Sequence, residues 1–353
     1  MNGSGEMKNL PSQVILIGCG SIGEKYLAYI GSMGVKCVVV DPKKDFISQK
    51  FQYKNDLITW ISDLSLIPKV FLNTNSVAII ANWGPDHFKT FTSLVSLNVK
   101  NFIVEKPIVS KMNHLVALEK IILKKQLSVV INQGWESNHY SENLIKIFDS
   151  LDLSEPEMMI VQGGARCIAT AGSHYIQVAQ RLFRSEPRNV FANLHNNQIN
   201  PRHSNLSYLQ GVLAIEFFPN KYLSVNFSNQ SSIEGSVNLY WRDAFATIIQ
   251  NSIVINKLSP TREFADVITR YSTPNTKAYD SFITENNFDS SYAIQVLFDK
   301  VLTGQQNSLH DLKLHISTTK LLLLSLISND LQKRLFVNHK MPTRYLWKDY
   351  RIS

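Results

Sequence analysis

Through the first third of the chain, short runs of consecutive apolar residues alternate with amphipathic stretches. The runs are VILIG (14–18), CVVVD (37–41), SVAIIAN (76–82), NFIVEK (101–106) and LSVVIN (127–132). Several are rich in β-branched residues, the composition of strands buried on both faces of a parallel sheet. The segments between them, 24–32, 87–97 and 113–124, place apolar residues at helical spacing. The alternation predicts right-handed strand–helix–strand units and a doubly wound sheet.

After about residue 150 the pattern changes. A helical stretch over 173–183 precedes NVFANL, GVLAIEFF, YLSVNFS, SVNLYW, FATIIQ and SIVINK, which are separated by turn residues such as Pro219, Asn220 and Gly235. These runs predict a mainly antiparallel sheet. Two helices, 290–302 and 308–328, close the chain.

Composition narrows the class. At 353 residues the chain is long for one ordinary core, so two domains are expected. No apolar run approaches the roughly 20 residues of a membrane helix. The run LLLLSLIS from Leu321 reads as a buried helix, and the polar opening MNGSGEMKNLPS lacks a signal peptide's apolar centre. Cys19, Cys37 and Cys167 are scattered without metal-ligand spacing, which predicts free thiols, a reducing cytoplasmic setting and no metal site. The net charge of +8 suits an anionic small substrate, an acidic partner or simply a solvated basic surface. Without a dense basic helix, zinc finger or aromatic RNA-binding signature, no nucleic-acid partner is expected, and no membrane partner either.

The candidate chemistry begins at Gly18-Cys19-Gly20-Ser21-Ile22-Gly23, directly after the first strand and leading into a helix. In G-x-G-x-x-G the first glycine permits a tight turn, the second lets the backbone approach a pyrophosphate, and the third lets helix and strand pack closely. Ser21 and Ile22 would open the helix whose N-terminus receives the diphosphate. Asp41 follows eighteen residues after Gly23, at the end of the second strand, where a carboxylate binds the adenine ribose hydroxyls. That charge favours NAD, while Lys43 and Lys44 partly offset it and leave NADP open.

The expected fold class is therefore α/β. A Rossmann domain with a doubly wound parallel sheet covers 1–130. An α+β domain with an open-faced, mainly antiparallel sheet covers 131–353, its last helix, about 308–328, packing back on the first domain.

A second constellation, Glu105-Lys106-Pro107, ends the run NFIVEK. Strand ends of an open parallel sheet face the ligand crevice. A lysine there can exchange a proton with a substrate oxygen while hydride moves. It reads equally as a surface lysine before a loop-starting proline.

Together the glycine loop, Glu-Lys-Pro and a sheet-rich second half resemble the glucose-fructose oxidoreductase, inositol dehydrogenase and MocA family over nearly the whole chain. The resemblance implies NAD(P)-dependent hydride transfer at a hydroxyl or ketone of a sugar, cyclitol or nucleotide sugar, with substrate between the domains. It also implies that Lys106 lies beside substrate and nicotinamide, that Glu105 lines the cofactor site, and that the chain forms a homo-oligomer through the C-terminal sheet.

Two further matches carry departures. The family's Thr-Pro-Asn-x-x-His loop is here NWGPDH, matched at His87, with Asn82 and Trp83 at altered positions whose backbone still lines the cofactor cleft. His87 also reads as a capping or packing residue. The family's Asp-x-Gly-x-His is here TAGSH: Gly172 and His174 match, Thr170 replaces the Asp, and Gln177 stands where a second Asp is frequent. Thr170 or Ser173 could cap the helix. The resemblance makes His174 a catalytic partner of Lys106 and Thr170 a substrate contact, in a pocket diverged from that of simple-sugar enzymes. Two other readings stay open: an enzyme that keeps NAD bound and uses transient oxidation for non-redox sugar chemistry, and a cofactor-binding sensor without turnover.

Overall fold

A computed structural model describes residues 11–43, 56–164, 166–196, 200, 204–228, 235–250, 252–258, 274–279, 290–303, 307–338 and 340–352. Lys44 and most of the polar N-terminal stretch lie outside these residues. The chain divides into two compact units, one joining 1–137 to 289–316 and the other joining 138–288 to 317–352.

The first unit is built on β1 (Gln13–Ile17), β2 (Lys36–Val40), β3 (Ile58–Ile61), β4 (Ser76–Ile80), β5 (Asn101–Glu105) and β6 (Ser128–Asn132). They form one sheet in the order β3-β2-β1-β4-β5-β6, every neighbouring pair parallel. This is the order of dinucleotide-binding sheets, whose crevice opens where the winding reverses, between β1 and β4. Helices α1 (Ser21–Met33), α2 (His87–Ser96) and α3 (Met112–Lys125) make the crossovers. The buried face of α1 is Gly23, Tyr26, Leu27 and Ile30, the three-and-four spacing of one helical stripe. It meets Val14, Leu16, Val39 and Ile79 of the strands in one core. Gly34, at φ 66°, ends α1, a left-handed stop that glycine makes without a Cβ penalty.

The second unit begins with α4 (Tyr140–Asp149), β7 (Met158–Gly163) and α5 (Ile168–Phe183). It continues through β8 (Pro187–His195), β9 (Gln210–Phe217), β10 (Lys221–Phe227), β11 (Ser236–Tyr240), β12 (Ala244–Ile249), β13 (Ser252–Leu258) and β14 (Pro274–Tyr279). Helix α6 (Ser290–Thr303) belongs to the first unit, and the unit boundary falls within α7 (Asn307–Leu331), after which β15 (Leu335–Phe336) adds a last edge. The nine strands run in the order β14-β13-β12-β11-β7-β10-β9-β8-β15. Neighbours are antiparallel except β7 and β10, which are parallel.

The two faces of this sheet differ. Val161, Leu213, Ile215, Leu223, Val225 and Leu239 are buried on one, which α5 covers along β9 and β10. On the other, Tyr222, Met158, Tyr240 and Phe245 stand side by side on β10, β7, β11 and β12, all exposed. The period of two along each strand separates these two sets.

Several elements depart from the sequence reading. The first unit runs past residue 130 to 137 and takes in α6, because Ile294, Leu297, Phe298 and Val301 complete its core. Helix α5 begins at Ile168 rather than 173, its first N–H bonded to the Leu209 carbonyl at 2.7 Å. Cys167 is therefore the N-cap, and Thr170 and Ser173 lie inside the helix instead of capping it. Gly172, one of the two residues matching the family motif, is a packing position within the helix: a Cβ there would lie 3.3 Å from Ile168 and 3.8 Å from Leu322 side-chain carbons. Strands β3, β7, β14 and β15 and helix α4 were not anticipated from the apolar pattern. For β3 the pattern is weak because only Ile61 of its four residues is buried.

Candidate functional site

The three glycines after β1 hold different places. Gly18 has φ +84°, and a Cβ on it would lie 2.6 Å from the Asn82 Cα, where the loop after β4 crosses. At Gly23 a Cβ would lie 2.2 Å from the Gly18 carbonyl oxygen. At Gly20 a Cβ would meet nothing within 4 Å. Folding alone thus excludes side chains at Gly18 and Gly23 but not at Gly20. Gly20 is also the N-cap of α1, its carbonyl accepting the Glu24 N–H at 2.8 Å, and it brings no side-chain acceptor to the helix's first N–H groups. An open glycine at a helix N-terminus that no side chain caps among the described residues fits a diphosphate. Ser21 and Ile22 are exposed at this end.

Asp41 lies one residue beyond β2. Its Oδ2 accepts the Cys19 N–H at 2.9 Å and its Oδ1 the Lys43 N–H at 2.8 Å. The carboxylate therefore braces the glycine turn, and each oxygen keeps a further lone pair for a ribose hydroxyl.

The loops after β4 and β5 are tied together by His87. This ring is 2% exposed, with Nδ1 2.9 Å from the Pro107 carbonyl oxygen and Nε2 3.0 Å from that of Asn82. Burial holds its pKa below the usual histidine value, against the pull of the two carbonyls and Asp86. The neutral ring donates to one carbonyl at a time. The buried ring thus lies between the two loops and is hydrogen-bonded to one of them at a time. Asn82 donates from Nδ2 to Thr90 Oγ1 at 3.0 Å, while its buried Oδ1 has no hydrogen-bond partner among the described residues. Trp83 is 37% exposed. Lys106 is half-buried, and its peptide bond to Pro107 is cis.

Glu105 sits in a cluster that sequence reasoning missed. Its Oε1 accepts the Tyr26 hydroxyl at 2.9 Å and Asn132 Nδ2 at 2.6 Å, and that amide also donates to the Tyr26 oxygen at 3.0 Å. Burial pushes the Glu105 carboxyl above the ordinary glutamate pKa, opposed by the hydrogen bonds from Asn132 and Tyr26 and by the charge of Lys106. Burial and the Glu105 charge together lift the Tyr26 phenol well above its usual value. The signals for both partners lay in the pattern. Tyr26 is on the buried stripe of α1, one turn after Gly23, and Asn132 ends β6 in register with Glu105.

In the second unit, Thr170 and His174 are one turn apart on α5 and both half-buried, so they share a helix face. Gln177, the next residue along that face, is fully buried, and neither atom of its amide has a hydrogen-bond partner among the described residues. Arg166, just before α5, donates from NH1 to the Tyr175 hydroxyl at 3.3 Å. The glycine loop, Asp41, Asn82, Trp83, His87, Glu105 and Lys106 lie in the first unit; Thr170 and His174 lie in the second. Among the described residues no group of three or more His, Cys, Asp or Glu could hold a metal ion. No described helix is long and apolar enough to cross a membrane.

No protein-family model matches the sequence, and no curated protein matches it significantly. Solved structures do match in fold. A super-repressor mutant of Gal80p from Saccharomyces cerevisiae aligns with TM-score 0.69 at 11% identity, over 94% of this chain and 99% of its own. Levoglucosan dehydrogenase, in complex with NADH and levoglucosan, aligns with TM-score 0.68 at 12% identity, over 93% of this chain and 99% of its own. The WlbA dehydrogenase from Bordetella pertussis, in complex with NADH and UDP-GlcNAcA, aligns with TM-score 0.68 at 14% identity, over 93% and 98%. With its parallel sheet, its nine-stranded mixed sheet and near full-length overlap with these proteins, the chain has the fold of the glucose-fructose oxidoreductase, inositol dehydrogenase and MocA family.

Proposed function

We propose that the chain is an NAD(P)-dependent oxidoreductase acting on a hydroxyl or ketone of a sugar, cyclitol or nucleotide sugar. The observation that carries this reading is the opening at Gly20, the one glycine of the loop where a Cβ would meet nothing. Asp41 braces that turn, and Lys106 follows the end of β5 in the same unit. When bound, the nicotinamide supplies the hydride acceptor or donor. Lys106 takes a proton from the substrate hydroxyl during oxidation and returns it in the reverse direction. For His174 and Thr170, on α5 of the second unit, the family resemblance implies substrate contact. The dehydrogenases of like fold, crystallised with NADH and a sugar or nucleotide sugar, support this class, and the +8 charge favours an anionic member of it. The test is to identify the co-purifying cofactor by mass spectrometry and to follow reduced nicotinamide on a panel of sugars, cyclitols and nucleotide sugars with NAD and NADP. Formation of NADH or NADPH on any of them supports the reading; turnover without net reduction points instead to a retained cofactor used transiently.

Asp41 gives the cofactor preference. NAD is expected to bind more tightly than NADP, and Asp41→Ala to weaken NAD by about 1 to 3 kcal/mol through lost charge-assisted hydrogen bonds. The gap to NADP should narrow at the same time. Titration calorimetry on both proteins with both nucleotides measures this, and tighter NADP binding by the parent chain contradicts it.

A second reading, a cofactor-responsive regulator without turnover, is favoured by one observation: Thr170 and Gln177 occupy the positions where the resemblance places carboxylates. The Gal80p super-repressor has the same fold. Tight NAD binding with no reaction on the whole panel selects this reading.

We also propose that copies of the chain associate through the open sheet face. Tyr222, Met158, Tyr240 and Phe245 form a contiguous exposed row there, and such rows mark interaction surfaces. Sedimentation velocity should give a multiple of 40.1 kDa. Changing Tyr222 and Tyr240 together to Glu should return the monomer, because the interface would then bury unpaired carboxylates.

A further inference from the structure

We infer that Ser207 and the segment Tyr350–Ile352 are positioning residues for the first turns of α5, which carry Thr170 and His174. The inference rests on the reading of those two residues as substrate contacts, and every group in it belongs to the second unit. The buried Cys167 is the hub. Its carbonyl accepts the Thr170 N–H at 3.1 Å and the Ala171 N–H at 2.8 Å, and so starts the helix. Its thiol donates to the Ser207 carbonyl at 3.6 Å and accepts the Leu209 N–H at 3.4 Å. The Leu209 carbonyl in turn accepts the Ile168 N–H at 2.7 Å. The stretch 207–209 therefore holds α5 by its N-cap and its first N–H, groups that no bond within the helix can satisfy.

Ser207 is held in its turn by a segment 143 positions away in the sequence. Its Oγ donates to the Tyr350 carbonyl at 3.1 Å and its N–H to the Arg351 carbonyl at 3.3 Å. Asp349 shapes that segment, its Oδ1 accepting the Arg351 N–H at 3.0 Å. The Tyr350 hydroxyl donates to Asp330 Oδ2 of α7 at 2.8 Å, and Lys348 donates to the same oxygen at 2.6 Å. Ile352 is fully buried. The segment is thus tied to α7 on one side and anchored in the interior on the other, with Ser207 bonded between. An unbroken series of hydrogen bonds runs from it through Ser207 and Cys167 to the Thr170 N–H. Helix ends open more readily than core strands. Loosening residues 350–352 should therefore be felt at Thr170, and at His174 one turn on, before it is felt in the sheet.

Hydrogen exchange read by peptide mass spectrometry tests this without turnover, in the parent chain, Ile352→Ser, Ile352→Val and Ser207→Ala. Ile352→Ser puts a hydroxyl in a buried apolar position, whereas Val keeps the position apolar. Amides of 168–171 should exchange about 10-fold faster in Ile352→Ser and near the parent rate in Ile352→Val, while those of β9 and β10 stay within about twofold. Ser207→Ala loses only the bond to the Tyr350 carbonyl and should raise the same rates about 3-fold. If the parent turns over a substrate, kcat/KM in Ile352→Ser should fall about 5- to 10-fold, mainly through KM, with NAD affinity unchanged and recovery in Ile352→Val. Unchanged exchange at 168–171 in folded Ile352→Ser overturns the inference, and so does exchange that rises equally in β9 and β10. Faster exchange at 168–171 with unchanged kcat/KM overturns it as well, because the segment would then serve stability alone. If Ile352→Ser does not fold, Ser207→Ala decides by the same readings. A parent chain that moves no hydride contradicts the proposed activity, and the exchange rates alone then decide whether residues 350–352 hold the helix start.

Discussion

Replacing Lys106 with Ala is expected to lower turnover by about 100-fold or more while NAD affinity changes by no more than a few-fold. Removing a group that transfers a proton in the transition state typically costs a factor of about 100 to 10,000, because water must then take its place without being held there. The cofactor is assigned to other parts of the unit, the N-terminus of α1 and Asp41, which lie in the β1 and β2 loops. Stability should change little, since the side chain is half-buried at a strand end. Steady-state kinetics with the best substrate of the panel, together with cofactor titration, separates the two effects. Equal losses in affinity and turnover would make Lys106 a cofactor ligand, and unchanged turnover would make it a surface residue.

The glycine loop gives the second large effect, as a contrast between two substitutions of the same kind. Gly23→Ala drives a methyl group to 2.2 Å from the Gly18 carbonyl oxygen and 3.0 Å from its carbon, backbone atoms that cannot swing aside as a side chain can. It should destabilise the chain by about 3 kcal/mol or more. Gly20→Ala places the same methyl group in open space on an extended backbone. Its stability should stay within about 1 kcal/mol of the parent, the weaker N-cap and the stiffer unfolded chain nearly cancelling. Yet NAD affinity should fall about 10- to 100-fold, because the methyl group occupies the approach of the diphosphate. Thermal unfolding and cofactor titration on both variants are sufficient. A Gly20→Ala chain that binds NAD as well as the parent would remove the cradle from the argument.

The alternating architecture was legible because a parallel strand buried on both faces is a solid apolar run, whatever lies around it: SVAII of β4 is buried at every position. The glycine turn was legible for a similar reason, since its geometry depends on a few consecutive residues. Contacts between distant segments were not. Tyr26 and Glu105 lie 79 residues apart, and Asn132 joins them only through the register of β5 and β6. Nothing in a local window marks a tyrosine on a buried helical stripe as a hydrogen-bond donor to a particular strand end. The start of α5 was misplaced: the helix begins at Ile168, and Gly172 lies inside it, where its missing side chain admits Ile168 and Leu322. The placement of α6 was likewise hidden, because an amphipathic helix states that it has a partner and not which one.

Helix α6 also governs how the protein is made. Tyr29 stacks on Phe298 with ring centroids 5.8 Å apart, and Ser128 Oγ donates to the Val301 carbonyl at 2.8 Å. A ribosome releases the six strands β1 to β6 early, but the side chains that close their core are added only after β7 to β14 have been synthesised. Until then the nascent chain carries an uncovered apolar flank, the sort of surface on which chaperones act and aggregation begins. The parallel-sheet half is therefore the first to be started and, on this order of synthesis, cannot be completed until residues near 300 emerge.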